Sequence, residues 1–305
     1  MKFGIIGYGS QAKRIIQILK ELKIKPTHIF KPKLKKKDPN FIVDNIKLLN
    51  NCDALFICSP NDTHYKYISI FNKKYIFCEK PLVNNNKELI KIKNNKRLFV
   101  NYNYRFGYLS KSIENRQKFN LGNIISGHLI MSQGLASKKS YSKSWRSNIK
   151  NCKYGVFEIL GVHLIDLIAF HFKVKKINKT MINISKNGSA YDTSFFQIVL
   201  SNKANISCSV SYFAPFISKQ LLVFENGYIE MNNKYLEIRG PRNTFDKKGF
   251  FKTPPLIFKK KFGKKNDYDY SLSESIKFFL EKVYQNKKFD EKFLKTSIFT
   301  NKLTF

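Results

Sequence analysis

A short charged stretch at the end of an apolar run is the first candidate for chemistry. The segment CEKPL, residues 78–82, follows the apolar letters YIF and places Glu79, Lys80 and Pro81 in succession. A carboxylate and an ammonium at the end of a buried strand are costly unless they pair with each other or are directed at a ligand. The residues alone leave both interpretations open: an ion pair followed by a turn proline, or a lysine directed at a substrate.

The glycine turn near the start of the chain is the second candidate. The segment GYGSQA, Gly7 to Ala12, fits the pattern G-x-G-x-x-A between a strand and a helix. Gly7 can form the tight turn, Gly9 lets the backbone approach a pyrophosphate, and Ser10, Gln11 and Ala12 supply the helix N-terminus. An ordinary tight connection is the alternative, but the setting in a repeat of strands and helices favours a dinucleotide site.

The end of the second strand bears on cofactor choice. Sites selective for NAD usually have an acidic residue about 20 positions after the glycines, where it holds the ribose 2′-hydroxyl. The segment THIFKPK offers Lys31 and Lys33 there instead. A 2′-phosphate would suit these lysines, so NADP is favoured over NAD, although a lysine-rich chain could also place two lysines there without function.

The order of elements predicts two domains. Up to residue 119, short apolar strands alternate with helical patterns, which is typical of a parallel sheet covered by helices on both faces. From residue 120 the pattern changes to strands separated by Gly or Asn turns, with ENGY as the clearest hairpin, and to helical blocks at 154–172 and 271–286. We therefore predict an α/β protein: a Rossmann domain at 1–119, then an α+β domain for substrate and dimerisation at 120–305, with a largely antiparallel open sheet.

Composition narrows the class of protein. The five cysteines contain no Cys-x-x-Cys pair, so neither a disulfide framework nor a metal site is expected. The first apolar run is short and no stretch approaches a membrane span, so we expect a cytoplasmic protein. The net charge of +35 comes from lysines spread along an Asn-, Ile- and Phe-rich chain, which favours a compositional origin over nucleic-acid binding. The basic runs at 31–40 and 257–267 could still attract an anionic substrate or a membrane surface.

Five segments in order carry a family resemblance: FGIIGYGSQA, DALFICSPNDTHYKYI, YIFCEKPL, NYNYRF and GVHLIDL. Together they resemble the Gfo/Idh/MocA family of glucose-fructose oxidoreductases and inositol dehydrogenases, from residue 1 to about residue 170. The resemblance implies a homo-oligomeric, NAD(P)-dependent oxidoreductase. Its substrate would be a sugar, a polyol or a sugar derivative such as a sugar nucleotide.

The resemblance also gives Lys80 a role. In relatives this lysine stands at the nicotinamide end of the cofactor and hydrogen-bonds the oxygen of the reacting carbon, where desolvation lowers its pKa towards a useful range. Glu79 would orient the residues around Lys80, and Pro81 favours a cis peptide bond. Further cofactor contacts implied by the family are Ser59, Pro60, Asn61 and His64. For His64 a plain helix-start histidine is the open alternative.

The segment around His163 departs from the family pattern. Relatives carry an Asp four residues before this histidine, whereas this chain has Ile159 there. Glu158 lies about 100° away on a regular helix and would replace that Asp only at a local irregularity. Asp166 keeps its place three residues after His163, on the face that can contact the imidazole or a substrate hydroxyl.

His163 therefore has two interpretations. It is either the general base that works with Lys80, or a core histidine retained in a protein that binds the cofactor without turnover, as a sensor or scaffold. Candidate residues on the substrate side are Tyr104, Arg105, Trp145, Arg146 and Asp166.

Overall fold

The computed structural model describes residues 1–34, 39, 42–263 and 266–305. The centre of the predicted basic run at 31–40, and Lys264 and Lys265 of the run at 257–267, lie outside these residues. Contacts divide the described chain into two compact units. The first contains Met1–Asn103, Ser273–Leu303 and Phe305, and the second contains Tyr104–Leu272 and Thr304.

The first unit is built on the predicted parallel sheet. Its strands are β1 (Phe3–Ile6), β2 (His28–Phe30), β3 (Ile42–Val43), β4 (Ala54–Ile57), β5 (Tyr75–Cys78) and β6 (Leu98–Val100). The strand order is β3-β2-β1-β4-β5-β6, and every neighbouring pair is parallel. Residues of β1, β4, β5 and β6 are buried throughout. Continuous apolar runs of this kind are typical of strands covered on both faces.

Three helices connect these strands: α1 (Ser10–Glu21), α2 (His64–Ile70) and α3 (Asn86–Ile92). Each has apolar residues at helical spacing, in agreement with the predicted alternation of strands and helices. The sequence RLFVNYNYRF, residues 97–106, predicts a single strand, but the strand in the structure is shorter. The segment 97–106 is extended only to Val100, and Asn103–Phe106 forms a 3₁₀ turn.

The second unit contains an eight-stranded sheet. Its strands are β7 (Ile124–Ser132), β8 (Val174–Ile182), β9 (Thr193–Leu200), β10 (Asn205–Ser211), β11 (Ile217–Phe224), β12 (Gly227–Asn232), β13 (Tyr235–Arg239) and β14 (Leu256–Lys261). The order is β14-β13-β12-β11-β7-β10-β9-β8, and only β7 and β10 pair in parallel. The prediction of a largely antiparallel sheet is therefore confirmed.

The predicted ENGY hairpin joins β11 to β12 through Glu225 and Asn226. Its glycine is required by crowding as well as by backbone conformation. Gly227 has φ of 159°, and a Cβ there would collide with the carbonyl oxygen of Arg239 on β13.

The second unit contains the helices α4 (Tyr108–Glu114) and α5 (Val162–His171), and α5 carries the candidate site residues His163 and Asp166. A π-helical turn, Phe157–Gly161, leads directly into α5. The ring of Phe157 meets Phe196 of β9 edge to face at 5.1 Å, so this turn is packed on the sheet. Residues 162–168 of α5 are all buried.

The chain closes with α6 (Asp267–Tyr284) and α7 (Glu291–Thr304). Most of both helices belongs to the first unit, which differs from the expected continuous division at residues 119 and 120. The reason is aromatic packing, since the ring of Phe279 lies 5.2 Å from Phe56 and 5.4 Å from Phe77 on the parallel sheet. Within the described residues, no helix combines the length and the hydropathy needed to cross a membrane.

Candidate functional site

The glycine turn has the geometry that a pyrophosphate needs. Gly7 has φ of 96°, and a Cβ there would lie 2.7 Å from the carbonyl oxygen of Cys58, so only glycine fits this bend. A Cβ on Gly9 would meet nothing within 4 Å. Glycine is therefore required at position 7 by the backbone conformation and by the Cys58 carbonyl. At position 9, glycine leaves open space in front of the backbone.

The start of α1 lies directly after this space. Its N-cap, Gly9, has no side chain to bond the first-turn N–H groups, and the first turn contains no acidic residue. Ser10 is exposed and Gln11 is half-buried, whereas Ala12 is fully buried against the unit. An uncapped helix N-terminus beside an open glycine suits an anion, so the residues present fit a dinucleotide phosphate.

The carboxyl end of β2 lies on the same side of the sheet. The Lys31 N–H donates to the Val43 carbonyl at 2.9 Å, which keeps Lys31 in line with the strand, and its side chain is half-buried. Lys33 is exposed. Lys31 thus occupies the position expected to read the ribose of a dinucleotide.

The turn after β4 carries three predicted cofactor contacts. Ser59 and Asn61 are half-buried and Pro60 is exposed. The Thr63 hydroxyl donates to the Pro60 carbonyl at 2.7 Å and lies 2.6 Å from Ser59 Oγ. This local network fixes the turn at the carboxyl edge of the sheet, where doubly wound folds bind ligands.

His64 is placed differently from the expected cofactor contact. It is fully buried, with Nδ1 2.9 Å from the Pro81 carbonyl oxygen and Nε2 3.0 Å from the Ser59 carbonyl oxygen. Burial lowers the pKa of His64, while the two carbonyl oxygens act in the opposite direction. His64 therefore links the turn after β4 to the turn after β5, because both ring nitrogens face backbone oxygens.

The structure shows how the charged residues Glu79 and Lys80, which follow β5, are accommodated. The buried Glu79 carboxylate accepts a hydrogen bond of 2.8 Å from Asn101, whose own Oδ1 accepts from Ser275 at 2.8 Å. Burial raises the pKa of Glu79, and the Asn101 hydrogen bond, the Lys80 charge and Gln11 oppose that rise. Lys80 is half-buried beside this carboxylate, and the Lys80–Pro81 bond is cis, as predicted.

Asn101 and Ser275 were not among the predicted site residues. Asn101 follows β6 directly, and the polar letters NYN after an apolar run were a signal that could have been used. Ser275 lies on α6, 174 positions from its partner, and no local pattern indicates such a contact. These two residues connect the Glu79 turn to the carboxyl-terminal helices.

In the second unit, Arg105 and Asp166 form a buried ion pair. Arg105 Nε donates to Asp166 Oδ2 at 2.8 Å and Nη2 donates to Oδ1 at 2.5 Å, and each side chain is 1% exposed. The guanidinium also lies 4.8 Å from the ring centre of Phe170. The predicted substrate contact of these two residues thus differs from the structure, because their charges meet each other away from solvent.

Tyr104 and His163 are brought together, as their assignment to one site requires. Their rings meet edge to face at 5.3 Å, and His163 is buried. Burial, followed by the nearby charge of Asp267, raises the pKa of Tyr104 above its usual range. The Tyr104 hydroxyl thus stays protonated at neutral pH, and the His163 imidazole packs against an uncharged ring.

The local irregularity that could redirect Glu158 does exist. Residues 157–161 form a π-helical turn in which Ile159 is buried. The Glu158 carboxylate, however, accepts from the Tyr154 N–H at 3.0 Å and from the Cys152 thiol. Burial raises the pKa of Glu158, and these donors and the Lys179 charge oppose that rise. The Glu158 carboxylate is therefore bonded to residues that precede the π-helical turn.

Trp145 and Arg146 lie on a 3₁₀ turn of the second unit. Trp145 is exposed, and the Arg146 guanidinium lies 4.4 Å from the centre of its ring. Arg146 also hydrogen-bonds the buried Tyr212. Among the described residues, no three His, Cys, Asp or Glu side chains come together as a metal site.

Comparison with known proteins agrees with this geometry. Residues 1–104 match the family described as GFO_IDH_MocA, an oxidoreductase family with an NAD-binding Rossmann fold, and this confirms the predicted resemblance over that part of the chain. No curated protein sequence is significantly similar to the chain.

Solved structures extend the likeness of fold to the whole chain. A levoglucosan dehydrogenase in complex with NADH and levoglucosan has a TM-score of 0.80 at 15% identity, covering 100% of this chain and 95% of that one. Myo-inositol 2-dehydrogenase from Lactobacillus plantarum has a TM-score of 0.78 at 17% identity, with coverage of 100% and 95%. A myo-inositol dehydrogenase from Corynebacterium glutamicum has a TM-score of 0.75 at 15% identity, with coverage of 100% and 94%. The chain thus shares the two-sheet fold of these dehydrogenases, and its first 104 residues match the NAD-binding Rossmann family.

Proposed function

We propose that the protein is an NAD(P)-dependent oxidoreductase that transfers hydride between a nicotinamide cofactor and a sugar, a polyol or a sugar derivative, including sugar nucleotides. The observation that carries this proposal is the glycine turn, in which Gly7 is forced by Cys58 and Gly9 faces open space before an uncapped helix. This turn lies inside the segment that matches the NAD-binding family. The substrates named for the solved dehydrogenases of the same fold support the choice of sugars and polyols.

The chain's own residues supply binding and proton transfer. The N-terminus of α1 and the turn at Ser59 hold the phosphates and riboses, and Glu79 orients the turn that presents Lys80. When bound, the nicotinamide supplies or accepts the hydride. In the oxidation direction, Lys80 holds the substrate oxygen and His163 takes its proton as the hydride leaves carbon.

The preferred cofactor in this proposal is NADP. Lys31 stands at the end of β2 where an NAD-selective site usually has an acid. An ammonium there would pair with a 2′-phosphate.

A cofactor-binding protein without turnover is the second candidate. Ile159 favours it, because a buried aliphatic residue stands where relatives have the Asp that orients the histidine. A panel of sugars and polyols with NADP or NAD, followed at the absorbance band of the reduced nicotinamide, separates the two. Turnover supports the oxidoreductase, and dinucleotide binding without any absorbance change supports the second candidate.

Gly9→Val tests the site that carries the proposal. The added side chain would enter open space and block the pyrophosphate, so we expect dinucleotide affinity to fall at least tenfold. The melting temperature should fall by only a few degrees, because valine is a poorer N-cap than glycine. Gly263→Val is the matched control, because its Cβ would also meet nothing within 4 Å. Equal cofactor binding by the wild type and Gly9→Val would overturn the proposed site.

A further inference from the structure

A long basic and apolar segment of the second unit is not used by the proposed reaction. It consists of the connection between β13 and β14, residues 241–255, called here the arm, and of β14 itself. Every residue from 241 to 261 is exposed except Thr244 and Pro254, which are half-buried. Such a run of exposed chain needs an explanation, because it contains many large apolar side chains.

The arm is an ordered hairpin. It leaves and rejoins the sheet at one point, where the Gly240 N–H donates to the Pro255 carbonyl at 3.0 Å. Further out, Lys252 N–H donates to the Thr244 carbonyl at 2.9 Å, and Phe245 pairs with Phe251. Asp246 closes the tip, since its carboxylate accepts from the Lys248 and Phe250 N–H groups. Several backbone N–H groups of the tip are thus bonded within the arm.

Apolar side chains cover this hairpin and the adjacent edge strand. Phe245, Phe250 and Phe251 are 53%, 67% and 83% exposed, and the rings of Phe245 and Phe251 lie 5.2 Å apart. On β14, Leu256, Ile257 and Phe258 are exposed as well. Exposed apolar side chains thus occur both on the hairpin and on the adjacent edge strand.

The same segment is strongly basic. Residues 241–261 contain seven basic side chains and one acidic side chain, Asp246, which is engaged in the turn. The basic residues are Arg242, Lys247, Lys248, Lys252, Lys259, Lys260 and Lys261. Of these, Lys259 pairs with Glu237 at 2.5 Å. Exposed phenylalanines surrounded by lysines match an interface that is apolar at shallow depth and anionic at its surface.

We infer that the arm and β14 dock the protein onto an anionic membrane surface, with the phenylalanines at the headgroup level and the lysines against acidic lipid. The hydrogen bonds within the hairpin reduce the number of backbone N–H groups that lose water when it enters this region. A second copy that contacted the arm with its own arm is disfavoured as the occupant, because two basic segments would then meet on chains of net charge +35. This inference is independent of the dehydrogenase proposal.

The test is co-sedimentation of the full chain with vesicles of phosphatidylcholine, and with vesicles in which part of it is replaced by phosphatidylglycerol. We expect at least tenfold tighter binding to the anionic vesicles. The double variant Phe250→Ser/Phe251→Ser should lose at least tenfold of this affinity. Lys247→Glu/Lys248→Glu should lose more than tenfold, since each lysine near an anionic surface contributes about fivefold.

A matched control separates the arm from net charge alone. Lys138→Glu/Lys139→Glu changes the same number of charges at exposed positions outside the arm, and we expect its binding to change less than threefold. An equal loss in this control, or the absence of binding to anionic vesicles, overturns the inference. So does a wild-type dimer, seen by sedimentation velocity, that Phe250→Ser/Phe251→Ser dissociates, because the arm would then contact a second copy.

Discussion

The glycine turn of the first unit and the His163 helix of the second are held in place by different means. The turn depends on backbone shape, with one glycine forced by a neighbouring carbonyl and the next facing open space. The helix depends on buried carboxylates, with Asp166 paired with Arg105 and Glu158 accepting from the backbone N–H of Tyr154. The short motif supplies both glycines of the turn, although the carbonyl that excludes a side chain at Gly7 comes from Cys58 after β4. The Asp166 pair, by contrast, has no local motif and requires a partner 61 positions away.

Breaking the buried ion pair should give the largest effect. Arg105→Ala leaves the Asp166 carboxylate buried without its bidentate partner, so we expect the free energy of unfolding to fall by about 3 to 5 kcal/mol. Urea denaturation followed by fluorescence measures it. Lys219→Ala is the control, because its bridge to Glu230 is exposed and should contribute about 0 to 1 kcal/mol. Similar losses in both variants would remove the distinction drawn between the two regions.

The next effect concerns the two proposed catalytic side chains. We expect Lys80→Ala and His163→Ala each to lower kcat about 100-fold or more, because each removes a group that handles the reacting oxygen or its proton. Dinucleotide affinity, measured by fluorescence titration, should hardly change. The double variant should lose less than the product of the single losses, since both groups act on one oxygen. Multiplicative losses would contradict that shared role.

Cofactor preference tests the first region alone. We expect the wild type to bind NADP(H) more tightly than NAD(H), and Lys31→Asp to shift the preference towards NAD. A single phosphate contact of ~1 to 3 kcal/mol corresponds to roughly 5- to 150-fold in affinity. The exposed Lys33→Asp is the control for added negative charge nearby. Equal affinity of the wild type for both cofactors would refute the role given to Lys31.

The smallest change in turnover is expected at Ile159. Ile159→Asp restores the acid found in relatives but buries a carboxylate in a packed turn, so we expect kcat to change less than about threefold and stability to fall. Ile159→Asn serves as the control, because the asparagine side chain has nearly the same shape as that of aspartate but carries no charge. A large gain in kcat with unchanged stability would instead indicate a site that has lost an essential acid.

The elements that the sequence predicted are those with a local signal. β1, α1 and the turn between them follow from apolar spacing and two glycines. The edge strand β14 was not predicted, because its three apolar residues are followed by three lysines and so do not alternate with polar ones. The helix α7 was not predicted, because its apolar residues are sparse. Arg105 and Asp166 pair although they are 61 positions apart. Their pairing depends on where α5 lies relative to the turn at Asn103–Phe106, and the spacing of apolar residues in the sequence does not indicate that position.

The packing of α6 on the parallel sheet also has a consequence during synthesis. Phe279 covers Phe56 and Phe77, yet the ribosome must make residues 104–272 between the sheet and this helix. At ~5 to 20 residues per second, that interval lasts on the order of 10 to 30 seconds. During that time the aromatic face of the nascent sheet lacks its cover and is open to contact with other apolar surfaces.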